Sequence, residues 1–146
     1  MTTIVWDGKT LAADKKMVLG GGSGHTVTKI KKIGGELYFG AGDGDAVAAM
    51  LEWASKEGNT LPEFQKDEKD YIAFYCITSE RKIIRIGRYG ATREIEDKYF
   101  ATGTGMHYAL AVMAMGGDAV KAIEIAAMFD QDTGMGIDTL TLDGSE

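Results

Sequence analysis

Clusters of glycine divide this chain into short blocks. Twenty of its 146 residues are glycine, against the single proline Pro62. The glycines gather in Gly20-Gly21-Gly22-Ser23-Gly24, Gly34-Gly35, Gly40 to Gly44, Gly103 to Gly105, Gly116-Gly117 and Gly134 to Gly136, and such clusters mark turns. Between them the hydrophobic pattern changes block by block. Thr2 to Trp6 and Leu11 to Val18 read as a strand pair around an Asp7-Gly8 turn, and Thr28 to Ile33 with Glu36 to Gly40 as a second pair. Val47, Met50, Leu51 and Ala54 recur at helical spacing and predict a helix from Asp45 to Lys56. Strands follow over Tyr71 to Thr78, Lys82 to Arg88 and, shorter, Lys98 to Thr102. Met106, Ala109, Leu110 and Met113 mark a second helix, stopped by Gly116-Gly117; Val120, Ile123 and Ala127 mark a third. A strand over Ile137 to Leu142 closes the chain. The polar stretch from Gly58 to Asp70, which holds Pro62, is the least structured part of the pattern.

The strand from Tyr71 to Ile77 is apolar on both faces and needs cover on both sides. Helices fall after the first four strands and again late in the chain, an order that suits two packed sheets with helices outside them. Periodicity alone also permits a simpler α+β sandwich. The length fits one domain, residues 1–146, and 45% apolar residues suffice for one real core.

Composition excludes several classes of partner. The formal net charge is −6, from 16 basic and 22 acidic residues, so the chain repels phosphate backbones and nucleic acid is not its partner. Lys29, Lys31 and Lys32 are too few to reverse this. No apolar stretch approaches the about 20 residues of a membrane span, and the N-terminus lacks the basic start and apolar centre of a signal peptide. Cys76 is the one cysteine, which fits a reducing, cytoplasmic setting. It sits in an apolar run and reads as an inert core thiol.

The common catalytic arrangements are missing. His25 and His107 have no cysteine or histidine at metal spacing, and no cofactor or metal site is expected. Gly20 to Thr26 has His25 where a phosphate loop needs lysine. Asp43, Asp45 and Glu52 do not have calcium-loop spacing; capping of a helix N-terminus by Asp43 or Asp45 explains them.

The N-terminus carries more. Methionine is commonly removed ahead of threonine, and its removal leaves Thr2 with a free α-amine beside its own hydroxyl. That amine has an ordinary pKa of about 7.7–8.0, suited to a general base, and a threonine hydroxyl becomes a nucleophile when such a base takes its proton. Many chains begin Met-Thr, so the pair alone does not establish catalysis.

Further along, the pieces fall in a telling order. Met1-Thr2-Thr3-Ile4-Val5, Leu11-Ala12-Ala13-Asp14, Val27 to Ile33 and Gly40-Ala41-Gly42-Asp43-Gly44-Asp45 together resemble the opening of proteasome β subunits of the bacterial HslV (ClpQ) type. Ala101 to Ala109 is similar to the family's glycine–serine–glycine turn before a helix, and Asp130 to Gly134 resembles its late aspartate–serine–glycine segment. The resemblance implies an α+β fold of the N-terminal-nucleophile hydrolase type, a four-layer αββα sandwich of two antiparallel sheets. It also implies a threonine peptidase that cleaves peptides or unfolded proteins, assembles into a homo-oligomeric ring and takes an ATP-dependent unfoldase as partner. Residue by residue, Thr2 matches the nucleophile, Asp14 the aspartate that holds the lysine, and Lys29 that lysine. Gly42 matches the backbone N–H of the oxyanion hole, Thr104 a serine near the α-amine, and Asp130 and Thr133 the supporting aspartate and serine.

The sequence departs from the family in two places. One helix fits where the family carries two, and the glycine turn is one residue shorter, with Asp43 placing a carboxylate near the expected oxyanion. Two other functions share the same frame, a non-catalytic self-assembling scaffold and an amidohydrolase for small amides. Asp130, at the C-terminal end of the third helix, faces the negative end of the helix dipole, a mildly unfavourable position that either a functional role or a solvated surface aspartate explains.

Overall fold

A computed structural model describes residues 2–56, 72–87 and 90–143. The polar stretch Gly58 to Asp70, together with Tyr71 and Arg88 of the expected strands, lies outside these residues. The fold is mixed α+β, with antiparallel strand pairing and three helices among the described residues. The chain forms two compact units, Met1–Ile30 with Asp97–Glu146, and Lys31–Glu96.

The first unit is built on a sheet of four strands. β1 (Ile4–Trp6) and β2 (Thr10–Asp14) form its centre, β10 (Phe100–Thr102) pairs with β1, and β11 (Ile137–Thr141) pairs with β2, all antiparallel. Asp7 makes the β1–β2 turn, its Oδ1 accepting the Lys9 and Thr10 N–H groups at 2.9 and 2.8 Å while Gly8 takes φ +97°. Its other oxygen accepts the Ala119 N–H at 2.8 Å, at the positive end of a helix.

The expected single strand Leu11 to Val18 is two strands in two sheets. β3 (Lys16–Val18) pairs with β4 (Gly24–Thr26) as a separate hairpin. The chain leaves the main sheet at Lys15, whose N–H donates to Gly134 O at 3.1 Å, while Asp14 Oδ2 accepts the Lys16 N–H at 3.2 Å. β4 itself is exposed and short, so no apolar alternation announces it.

Two helices cover one face of this sheet. α2 (Met106–Ala114) ends where Gly116 adopts φ +94°, and α3 (Ala119–Phe129) starts at Asp118, whose side chain accepts the Lys121 N–H. Their core joins Val5, Ala12 and Ala101 of the sheet to Ala109, Met113, Ala119, Ala122 and Ile123. The many alanines allow helix and sheet backbones to approach closely. The expected stripe of α3 shifts slightly: Ala126 is buried, whereas Ala127 is exposed and Val120 half-buried.

In the second unit five strands lie in the order β5-β6-β7-β8-β9, namely Ile30–Ile33, Glu36–Ala41, Ala73–Ile77, Ile83–Ile86 and Thr92–Ile95. Gly34 and Gly35, both at positive φ, join β5 to β6. α1 (Gly44–Ala54) packs Val47 and Met50 on Ile72, Phe74, Cys76 and Ile86. As its pattern required, β7 is buried on both faces from Phe74 to Ile77. Burial pushes the Cys76 thiol up to about 12, as befits an inert core cysteine. β9 is exposed at three of four residues and has no apolar signature, so the sequence pattern does not reveal it. Among the described residues no helix is long and apolar enough to cross a membrane.

Candidate active site

The first unit brings six of the seven expected site residues together. Thr2 lies one residue short of the β1 neighbour Thr3 and is 7% exposed. Asp14 ends β2, opposite Ile137 of β11, and is fully buried. Lys29 stands in the segment between β4 and β5, its side chain only 11% exposed. Thr104 occupies the glycine turn between β10 and α2, and Asp130 caps the C-terminus of α3 three residues before Thr133.

Lys29 connects the first group. Its Nζ donates to Thr2 Oγ1 at 2.8 Å and to Asp14 Oδ1 at 2.8 Å. Thr2 Oγ1 in turn donates to Asp14 Oδ1 at 3.0 Å. Asp14 Oδ1 also accepts the Thr3 N–H, and Oδ2 accepts the N–H groups of Lys16 and Gly134 at 3.2 and 3.0 Å. Five donors therefore converge on a carboxylate with no exposed surface. That carboxylate is held as a fixed anchor for the Lys29 ammonium. Burial holds the Lys29 pKa below its ordinary value, although the hydrogen bond and charge of Asp14 pull the other way.

A second group adjoins it. Thr104 Oγ1 and Thr133 Oγ1 each donate to Asp130 Oδ2 at 2.6 Å, and the Asp132 N–H reaches Oδ1 at 3.3 Å. Partial burial works to raise the Asp130 carboxyl, but these hydrogen bonds outweigh it and hold the group below its usual range, so it is an anion. The dipole conflict at the end of α3 is thus offset by two hydroxyl donors. Thr104 Oγ1 also lies 3.5 Å from Thr2 O, and the Gly105 N–H donates to the same carbonyl at 3.4 Å.

The turn must be glycine at both ends. A Cβ on Gly103 would fall 2.0 Å from Thr2 O, and one on Gly105 would fall 2.0 Å from Thr3 Oγ1. Close approach of this turn brings Thr104 to the chain start.

Gly42 belongs to the second unit, at φ +127°, with Ile72 Cγ2 3.1 Å from where a Cβ would stand. The adjacent Asp43 carboxylate is engaged elsewhere: it caps α1, its Oδ1 accepting the N–H groups of Asp45 and Ala46 at 2.8 and 3.2 Å. His25 and His107 are both exposed, His25 on β4 and His107 on α2, and among the described residues no group of side chains could hold a metal ion.

The expected set omitted Thr3 and the backbone N–H groups of Lys16 and Gly134. Backbone donors leave no residue-type signal. Thr3 did leave one, a hydroxyl two residues from Val5 on a stripe that is otherwise core.

No family model matches the sequence, nor does any curated protein. Solved structures do match over nearly the whole chain. BPH of Thiobacillus denitrificans aligns at TM-score 0.68 and 18% identity, over 99% of both chains. HslV of Trypanosoma brucei aligns at TM-score 0.68 and 19% identity, over 95% of this chain and 97% of its own. A Gly-1 mutant of Anbu from Hyphomicrobium sp. strain MC1 aligns at TM-score 0.68 and 14% identity, over 97% and 81%. These likenesses establish the fold, that of the proteasome-like N-terminal-nucleophile hydrolases.

Proposed function

We propose that this proteasome-like fold carries a threonine peptidase whose nucleophile is Thr2 Oγ1 once Met1 is removed. The observation that carries the reading is Lys29 Nζ, which lies 2.8 Å from both Thr2 Oγ1 and Asp14 Oδ1. A mostly buried ammonium pinned by a buried carboxylate and aimed at one hydroxyl stabilises alkoxide character at that oxygen.

In the proposed reaction the freed α-amine of Thr2 takes the hydroxyl proton. Oγ1 attacks the carbonyl carbon of a peptide bond, the C–N bond breaks, and the amine product leaves with the proton. Water then hydrolyses the acyl ester and restores Thr2. Asp14 holds Lys29 in place. Thr104, Asp130 and Thr133 form the anionic, hydroxyl-lined wall beside the chain start. Gly42 N–H is the donor that the family resemblance assigns to the oxyanion.

Self-association into a ring is part of the same proposal. It is supported by exposed apolar side chains at and beyond the ends of α2 and α3: Tyr108, Met115, Met128 and Phe129, with Tyr108 and Phe129 stacked at 5.5 Å. An ATP-dependent unfoldase as partner, and a cytoplasmic setting, follow from the resemblance and from the lone buried cysteine.

The test combines mass and turnover. Intact mass of protein from native cells is expected to lack one methionine residue, and that protein is expected to release fluorophore from peptide amides. Thr2→Ala is expected to abolish release while folding normally, and Lys29→Ala to nearly abolish it. Epoxomicin, bound by the Thiobacillus denitrificans neighbour, is expected to remain on wild type and not on Thr2→Ala. Retained methionine with no hydrolysis would leave the fold as a scaffold.

A further inference from the structure

Thr3 has no part in the scheme above, yet it touches both halves of the site. Its backbone N–H donates to Asp14 Oδ1 at 3.1 Å, and its carbonyl accepts the Asp14 N–H at 3.2 Å. Its side chain points the other way. Thr3 Oγ1 lies 2.7 Å from Thr133 Oγ1, and Thr3 is fully buried. The direction of that bond follows from the donor inventory. Asp130 as an anion can only accept, Thr133 has a single hydroxyl proton, and that proton goes to Asp130 Oδ2 at 2.6 Å. Thr133 therefore offers Thr3 a lone pair, and Thr3 is the donor. A chain of hydroxyls runs Thr3 to Thr133 to Asp130, and Thr104 joins it at the same carboxylate oxygen.

The turn leaves room for this chain. A Cβ on Gly105 would lie 2.0 Å from Thr3 Oγ1 and 3.2 Å from Thr133 Oγ1. A hydroxyl on a buried strand stripe, tied to a residue 130 positions away, is retained where an apolar side chain would pack more simply.

We propose that Thr3 is a positioning residue, whose hydroxyl orients Asp130 through Thr133 and so fixes the wall beside Thr2. The proposal rests on the threonine-nucleophile reading and extends it: one residue sets both carboxylates of the site, Asp14 with its backbone and Asp130 with its side chain.

Valine has the shape of threonine without the proton. In protein lacking Met1, Thr3→Val is expected to lower kcat about tenfold, with KM unchanged. The acid limb of the kcat/KM profile is expected to move to lower pH, because a loosened carboxylate supports the protonated amine less. Thr3→Ser is expected to restore both. Thr3→Val combined with Thr133→Val is expected to be no slower than Thr133→Val alone, since the two act in series.

A Thr3→Val enzyme with wild-type kcat and an unmoved pH profile would overturn the proposal. So would additive losses in the double variant, or a Thr3→Ser enzyme as impaired as Thr3→Val. A protein that hydrolyses nothing sinks the threonine-nucleophile reading on its own. In that case the Thr2 α-amine of ¹⁵N-threonine-labelled protein lacking Met1, titrated by NMR, still decides about Thr3. A lower midpoint in Thr3→Val supports its positioning role, and an unchanged midpoint removes it.

Discussion

Lys29 shows how burial and pairing pull one side chain in opposite directions. The fold lowers its pKa by desolvation, although Asp14 lies 2.8 Å away. The proposed chemistry needs the ammonium. Activity is therefore expected to fall, as pH rises, before the ordinary lysine range is reached, and a kcat/KM profile read to alkaline pH checks this. Stability moves the other way. Where the folded lysine has lost its proton and the unfolded lysine has not, the unfolded chain binds more protons, and stability rises with pH. The difference in urea-unfolding free energy between wild type and Lys29→Met, followed over the same window, isolates that contribution. Asp14→Ala tests the pair from the other side. It strands a mostly buried ammonium and is expected to cost about 3–5 kcal/mol in denaturant unfolding, besides abolishing hydrolysis.

Caps and turns set where the helices and strands stand. Asp118 starts α3 by accepting the Lys121 N–H, and Asp43 starts α1 by accepting two N–H groups. Asp118→Ala is expected to cost about 1 kcal/mol, seen as a lower Tm, with kcat little changed, because the opposite end of α3 carries Asp130. Strand β7 brings a pH effect of its own. The folded Cys76 thiol is pushed up to about 12 from an ordinary 9.0. The unfolded thiol ionises first, so stability is full below about pH 9 and is lost as pH rises toward 12. Cys76→Ala is expected to flatten part of that alkaline loss in thermal melts. The chain break at Lys15 belongs to this scale as well. Leu11 to Val18 reads as one strand in the sequence, yet Lys15 pairs with Gly134 O and Val27 N, and the segment becomes β2 and β3.

For the whole molecule, the proposed ring makes the exposed pair Tyr108 and Phe129 a contact between copies of the chain. Native mass spectrometry is expected to show a multiple of the 15.7 kDa chain. Replacing both rings by serine is expected to lower that multiple while leaving far-UV circular dichroism unchanged. The sequence by itself determined the α+β blocks, the glycine turns, the buried β7 and the three helices, because each of these is written in local periodicity and punctuation. With the family resemblance it also singled out the residues that meet near the chain start. It could not reveal β4 and β9, which are exposed and carry no apolar alternation. Nor could it show that five donors surround Asp14, or that Thr3 is joined to Thr133 across 130 positions. Apart from the local Lys16 N–H, those bonds link backbone groups, hydroxyls and the Lys29 ammonium from separate segments of the chain, and only the tertiary fold brings them within reach.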